Sequence, residues 1–182
     1  MRPLLFIASF AFAIVANFAF ADGKRASSDE ATAAALISQF RAEHGMGAVK
    51  PDPDLSRLAR SQASAMAAAG VLSHSVAGDF ASRIRSAGIL YAPAAENIGA
   101  GFYSLRSVLE SWKNSPGHRE NLLLSGATRI GLARADAPGK SYGVYWALVI
   151  AGAPRQAPVA RPGIFQSGPL PLPFGIGILV GQ

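Results

Sequence analysis

The chain has 182 residues, half of them hydrophobic, and its 17 Lys and Arg outnumber its 11 Asp and Glu to give a formal net charge of +6. It contains no cysteine, which excludes a disulfide framework and any cysteine metal site. The basic residues are dispersed and form no Lys/Arg run, so a nucleic-acid-binding segment is not predicted and no nucleic acid partner is expected.

The first 21 residues have the pattern of a signal peptide. Met1 and Arg2 precede an uncharged apolar run over residues 4–20, which closes on the small-x-small sequence Ala19-Phe20-Ala21. This pattern predicts cleavage after Ala21, a secreted or periplasmic protein, and no transmembrane segment after removal. The alternative is an uncleaved membrane anchor, because the run approaches the roughly 20 apolar residues that span a bilayer.

Residues 22–31 are predicted to be a flexible N-terminal segment, within which Ser27 and Glu30 have the spacing of a capping box. A helix is predicted to follow as far as about His44, which is interpreted as a C-terminal cap. Its buried stripe is Ala33, Leu36, Ile37 and Phe40. The residues predicted to face water are Gln39, Arg41 and Glu43.

Three further helices are predicted from capping and stop signals. Asp52 and Pro53 begin the second, which Gly70 ends, and a third spans Asp79 to Ala87. Residues 91–101 are rich in Gly, Pro and Asn, so a loop leading into a short extended piece is expected there. Ser104 caps the fourth helix, Pro116-Gly117 breaks it, and residues 118–124 make one further helical turn.

Residues 128–135 and 142–151 are rich in β-branched, aromatic and other apolar residues and flank a turn at 137–140. They predict an antiparallel hairpin whose second strand is apolar on both faces, which is typical of a sheet covered by helices on both sides. The predicted fold is α/β (α+β), a three-layer α-β-α sandwich with a small antiparallel sheet between four or five helices. One domain is assigned to residues 32–152, followed by a Pro/Gly-rich, disordered tail over 153–182.

Familiar reactive motifs are missing from the sequence: it has no G-x-S-x-G, no P-loop, no HExxH and no dinucleotide fingerprint. The candidate chemistry lies in a few His and Glu residues. Of the three histidines, His74 and His118 fall where loops converge.

Several motifs occur together in a characteristic order. They are the segment from Ala63 to Leu72-Ser73-His74, then Glu96-Asn97-Ile98, then Trp112 with Ser115-Pro116-Gly117-His118-Arg119-x-Asn121-Leu122, then Ile130-Gly131-Leu132-Ala133 and Tyr145-Trp146. In this order the chain resembles bacterial members of the CAP (SCP-like) family over about residues 32–152.

The resemblance implies an α-β-α sandwich with a central cleft lined by two His and up to two acidic residues. It places His74, Glu96 and His118 at three of these positions. The fourth departs from the pattern, because Ser115 stands where many relatives have a Glu. Glu110 is a weak substitute and is expected to be a solvated helix residue.

The other residues of the matched motifs have less specific roles. Asn97 and Asn121 are expected to satisfy backbone groups in tight loops. Arg119 is expected to pair with an acidic neighbour or with a ligand carboxylate.

Two imidazoles and a carboxylate, here His74, His118 and Glu96, suit Zn²⁺ or another divalent metal, although no cofactor is required. The same three residues could instead form a structural hydrogen-bonded network. Two functions follow: a non-catalytic module that binds a lipid-like or other small-molecule ligand or an envelope component, or a metal-assisted hydrolase or peptidase with Glu96 as general base.

Overall fold

The computed structural model describes residues 28–89, 93–153 and 178–180. The predicted signal peptide over residues 1–21 lies outside these ranges, as does most of the predicted tail. The elements are helices α1 (28–43), α2 (Pro53–Ala69), α3 (Phe80–Ser86), α4 (Leu105–Asn114) and α5 (Pro116–Leu122), and strands β1 (Lys50–Pro51), β2 (Ala94–Ala100), β3 (Arg129–Asp136), β4 (Val144–Ala151) and β5 (Ile178–Val180).

The five strands form one sheet in the order β1-β3-β4-β2-β5. The predicted hairpin is confirmed, since β3 and β4 pair antiparallel, and β2 adds to β4 in the same sense. Two short edge strands were not predicted: β1 pairs parallel to β3, and β5 pairs parallel to β2. The three central strands therefore carry the antiparallel sheet, and the parallel pairs only extend its edges.

Helices cover both faces of the sheet and confirm the three-layer sandwich. Alternate residues of β4 belong to two separate core clusters. One cluster packs α2 and α3 against the face that carries Tyr145 and Val149, and the other packs α1, α4 and α5 against the face that carries Trp146 and Leu148. Every residue of β4 is buried, as expected for a strand without a solvent face.

The predicted start and end of α2 are confirmed. The Asp52 side chain accepts hydrogen bonds from the backbone N–H groups of Asp54 and Leu55, and Gly70 ends the helix with φ of 72°. The helix lies directly on the backbone of β3, because a Cβ atom on Gly131 would come within 2.1 Å of the Leu55 carbonyl carbon. Only glycine allows this approach.

The prediction that Arg41 faces water is wrong. Arg41 is 1% exposed and donates hydrogen bonds to the carbonyl oxygens of Gly47, Leu122, Leu124 and Ala127 at 2.7 to 3.1 Å. The helical spacing placed it beside the apolar stripe but gave no sign of the loop carbonyls that surround it. Burial lowers the pKa of Arg41, and these four acceptors compensate for the lost hydration.

The start of α1 also differs from the prediction. Residues 28–31 are helical rather than flexible, and Glu30 makes tertiary contacts. Its carboxylate accepts hydrogen bonds from the Ser56 hydroxyl and from the Leu132 backbone N–H. Glu30 therefore ties α1 to α2 and β3, and the predicted capping box stays a prediction. Ser27 lies outside the described residues.

The segment predicted as a loop before a short extended piece contains a full strand, β2, seven residues long. Its low strand propensity is offset by tertiary contacts. The Trp112 indole N–H donates to the carbonyl of Ile98 at 3.0 Å, and a Cβ on Gly99 would lie 2.9 Å from Val108 Cγ2. Helix α4 thus packs closely on this strand.

The C-terminal tail contributes β5, which pairs with residues 94–96 of β2 and was not anticipated from the Pro and Gly content. The rest of the tail lies outside the described residues. In the part of the chain that the structure describes, no helix has the length and apolar character needed to cross a membrane.

Candidate functional site

Three distant segments meet at β2. His74 lies in the turn that follows α2, Glu96 lies in the middle of β2, and His118 lies in the first half of α5. His74 Nδ1 is 3.0 Å from Glu96 Oε1, and the carbonyl of His118 accepts a hydrogen bond from the Asn97 side chain at 3.0 Å. The fold therefore brings the three sequence-predicted residues to one strand.

Arg83 belongs to the same cluster and was missed in the sequence. Its Nη2 atom is 2.8 Å from each oxygen of Glu96 and 3.2 Å from the His74 carbonyl oxygen, and its Nε donates to the carbonyl of Gly78. One signal could have identified it. Arg83 lies three residues after Phe80 and directly before Ile84, on the apolar stripe of α3, where an arginine needs a buried partner.

This contact changes the role of Glu96. The side chain is completely buried, and both of its oxygens accept hydrogen bonds from Arg83 while one also contacts His74. Among residues 28–89, 93–153 and 178–180, no group of three or more His, Cys, Asp or Glu is arranged to hold a metal. The predicted ligand set of His74, His118 and Glu96 is therefore not supported, because the carboxylate binds the guanidinium.

The two imidazoles are anchored in similar ways but by different chemistry. His74 Nδ1 lies 3.0 Å from the Glu96 carboxylate, which favours the tautomer with its proton on that nitrogen. His118 Nδ1 instead lies 2.9 Å from the Ser115 hydroxyl. Burial, and then the charge of His74, lowers the pKa of His118, so its neutral form, which binds metals, is favoured at neutral pH.

Ser115 and Glu110 have clearly different positions. Ser115 contacts His118 from the position where the resemblance places a Glu, so a neutral hydroxyl stands in for a carboxylate. Glu110 is exposed and pairs with Lys113 at 3.0 Å along α4. It therefore takes no part in the cluster, in line with its expected role as a solvated helix residue.

Buried amides join α5 to β2. The Asn121 side chain donates to Asn97 Oδ1 at 2.9 Å and to the Glu96 carbonyl at 3.3 Å, and both asparagines are buried. These contacts hold the backbone of His118 beside that of Glu96. Arg119 has no carboxylate partner among the contacts of the described residues and donates to the Lys113 carbonyl at 2.6 Å.

Two other features lie away from the cluster. His44 Nδ1 is 2.8 Å from the Phe40 carbonyl, which agrees with its interpretation as a cap at the end of α1. A surface pocket lies near the start of α2, where it is lined by Glu30, Pro51, Pro53, Ser56, Arg57 and Arg60. The predicted cleft at His74 and His118 stays a prediction, although the His74 side chain is 21% exposed and reaches solvent.

Comparison with known proteins gives matches across most of the described chain. The curated relative, the uncharacterized protein YkwD of Bacillus subtilis (strain 168), is 31% identical over 103 residues, which is 56% of this chain and 40% of YkwD. The chain thus spans about two fifths of the length of that relative.

Solved structures share the fold at lower identity. An extracellular protein containing an SCP domain from Bacillus anthracis str. Ames has a TM-score of 0.60 at 22% identity, covering 70% of this chain and 41% of that protein. An outer surface protein from Borrelia burgdorferi has a TM-score of 0.61 at 19% identity, covering 69% of this chain and 92% of its own.

The family model for CAP, described as the Cysteine-rich secretory protein family, matches residues 34–150. That range contains the last ten residues of α1, every later helix, and the strands from β1 to nearly the end of β4. It also contains all four residues of the cluster, His74, Arg83, Glu96 and His118. The chain therefore belongs to the CAP family.

Proposed function

We propose that this is an exported, non-catalytic binding protein whose His74 and His118 side chains hold a divalent metal ion of the Zn²⁺ class, with a small-molecule ligand completing the coordination. The observation that carries the proposal is the fixed Nδ1 of each ring: Glu96 holds one and Ser115 holds the other.

The chemistry of the donors suits such a role. A carboxylate behind a ligating histidine orients the ring, which is the relation of Glu96 to His74. The neutral form of His118, favoured by its lowered pKa, is the form that binds a metal. Two protein ligands leave a tetrahedral ion open for water and for a donor group of a ligand.

The same geometry argues against the hydrolase alternative. A general base must reach the water it deprotonates, within about 3 Å or through one further water. Glu96 is completely buried and its oxygens are engaged by Arg83 and His74. Binding is therefore the better-supported function, and hydrolysis through Glu96 would require this ion pair to break.

Export is supported by two observations. The first 21 residues have the pattern of a signal peptide, and the structural relatives include an extracellular and an outer surface protein. Mass spectrometry of the protein recovered outside the cytoplasm tests this part, with an N-terminus at Asp22 as the expected result.

Calorimetric titration with Zn²⁺ tests the metal site. We expect the double variant His74→Ala/His118→Ala to lose affinity by at least about 100-fold, because both ligands are removed. His44→Ala is the matched control, since it removes an exposed histidine outside the cluster and should leave the affinity unchanged. Equal Zn²⁺ affinities for the double variant and the wild-type protein would show that His74 and His118 do not bind the metal.

The non-catalytic part has its own test. The zinc-loaded protein is offered a panel of peptides and esters beside Glu96→Gln. We expect no turnover above buffer for either protein, because the carboxylate is not available as a base. Turnover by the wild-type protein that the Glu96→Gln variant lacks would restore the hydrolase hypothesis.

A further inference from the structure

The large apolar side chains that remain exposed in the described part of the chain are Val71, Leu72, Tyr103 and Tyr142, with 50%, 40%, 68% and 45% of their surface accessible. They come from three separate places: directly after α2, after β2, and before β4. Single exposed apolar residues are common, but a group of them at one place marks an interaction surface.

Contacts between the segments show that the four residues share one end of the molecule. The Gly101 N–H donates to the Val144 carbonyl at 3.0 Å, and a Cβ on Gly101 would lie 3.8 Å from Tyr142 Cδ1. The hydroxyl of Tyr103 lies 3.5 Å from the Tyr142 carbonyl. We call Val71, Leu72, Tyr103, Lys140 and Tyr142 the apolar end.

Lys140 connects the remaining segment to this group. A Cβ on Gly70 would lie 3.1 Å from Lys140 Cδ, so the aliphatic part of the lysine lies against the residue that precedes Val71. The contacts therefore bring the end of α2, the turn between β3 and β4, and the loop after β2 together at one end of the molecule.

The charge of this region is positive. Residues 70–73, 101–107 and 137–143 contain Lys140 and Arg106 but no Asp or Glu. Asp136, directly before the turn, is paired with Arg134 at 2.6 Å, so it does not offset the charge of Lys140. Aliphatic, tyrosine and basic side chains together are the composition of a membrane-interface contact.

We propose that the apolar end docks this protein on an anionic phospholipid membrane. Val71 and Leu72 enter the boundary of the acyl chains, Tyr103 and Tyr142 lie among the headgroups, and Lys140 with Arg106 binds their phosphates. The adjacent side chains of Val71 and Leu72 are aliphatic, and neither can donate or accept a hydrogen bond from a sugar hydroxyl. Both features favour a membrane over a glycan.

This docking does not depend on the metal site, and its test uses different residues. The exported protein is sedimented with vesicles of phosphatidylcholine alone and with vesicles of equal parts phosphatidylcholine and phosphatidylglycerol. We expect binding to the anionic vesicles only, reversed by salt. The variant Leu72→Ser/Tyr103→Ser should reduce the partition constant by about tenfold or more, because it removes exposed apolar area.

The contribution of charge is isolated by a matched pair. Lys140→Glu and Lys50→Glu change the net charge equally, but Lys50 is exposed on β1 beside Arg129 at the start of β3, whereas Lys140 follows the end of that strand. We expect Lys140→Glu to weaken vesicle binding several-fold more than Lys50→Glu. Circular dichroism and melting of each variant confirm that the exposed substitutions preserve the fold.

Four outcomes would overturn the proposal. The first is no binding to anionic vesicles, and the second is binding that Leu72→Ser/Tyr103→Ser leaves unchanged. The third is an equal loss of binding for the two lysine variants, which would show generic charge attraction only. The fourth is self-association in sedimentation velocity that the double serine variant abolishes. The last would assign the apolar end to a second copy of the chain.

Discussion

Two buried arginines lie on opposite faces of the sheet, and each needs partners that compensate for its lost hydration. The two sets of partners differ in their chemistry. Arg41 is surrounded by backbone carbonyl oxygens from two loops. Arg83 binds a buried carboxylate that also holds a histidine. Carbonyl groups do not change charge with pH, whereas Glu96 and His74 can. The first arginine therefore holds loops together, and the second belongs to a cluster of ionisable side chains.

The largest effect is expected from Arg41→Met. It leaves buried carbonyls without their donors, and we expect the free energy of unfolding to fall by about 3 to 5 kcal/mol at any pH where the protein folds. Urea denaturation measures it. Arg57→Met is the control, because Arg57 is 67% exposed in its pair with Asp54. A loss of stability no larger than that of the control would show that the hydrogen bonds from Arg41 to the four carbonyl groups contribute little to stability.

Arg83→Met tests whether the stability contributed by Arg83 depends on pH, in contrast to that of Arg41. At neutral pH it strands a buried carboxylate, and we expect a loss of about 3 kcal/mol. As the pH falls the loss should shrink, because protonation can neutralise the stranded carboxyl group, whereas the loss for Arg41→Met should stay constant.

A second variant makes that comparison sharper. Arg83→Met/Glu96→Gln removes both charges, so it should recover much of the stability at neutral pH. If the Arg83→Met loss is independent of pH and the double variant recovers nothing, the two arginines are equivalent and the distinction between them fails.

A smaller effect is expected from His118. Its pKa is lowered in the folded protein, so as the pH falls below the ordinary histidine value of about 6.5 the unfolded chain takes up the proton first. The free energy of unfolding should then decrease from about pH 7 to pH 5, and His118→Asn should lose that part of the slope. Identical slopes in urea titrations of the two proteins would contradict the lowered pKa.

The smallest effect is expected from Glu110→Gln, which breaks the exposed pair with Lys113. We expect a change within about 0.5 kcal/mol and unchanged Zn²⁺ affinity, because Glu110 lies outside the cluster. This variant gives the value of an exposed ion pair against which the buried pair of Arg83 is compared. A marked loss of Zn²⁺ affinity would return Glu110 to the site.

Most of the fold could be predicted because local signals agreed with the tertiary structure. Asp52 and Gly70 delimit α2 through their own caps, and the residues of β4 indicate a strand buried on both sides. The strand β2 could not be predicted, since Glu96, Asn97 and Gly99 disfavour a strand and are held there by α4 and α5. The pairing of β5 depends on contacts that no local pattern encodes.

The candidate site likewise has residues that could be predicted from the sequence and residues that could not. His74, Glu96 and His118 could be named because they fall in motifs. Asn97 and Asn121 bond backbone groups as expected, but from a strand and a helix rather than from tight loops. The burial of Arg41 and the ion pair of Arg83 depend on which residues fold over them. A helical pattern gives the direction of a side chain, but it does not give the groups that the side chain meets.

The contact between Gly131 and α2 has a consequence for how much variation the chain tolerates. The distance between this helix and the sheet is set by main-chain atoms, so repacking of neighbouring side chains cannot make room for a methyl group. Position 131 is therefore suited to a conditional mutation: Gly131→Ala should give a protein whose yield depends steeply on growth temperature, while its surface and its histidine cluster keep their chemistry.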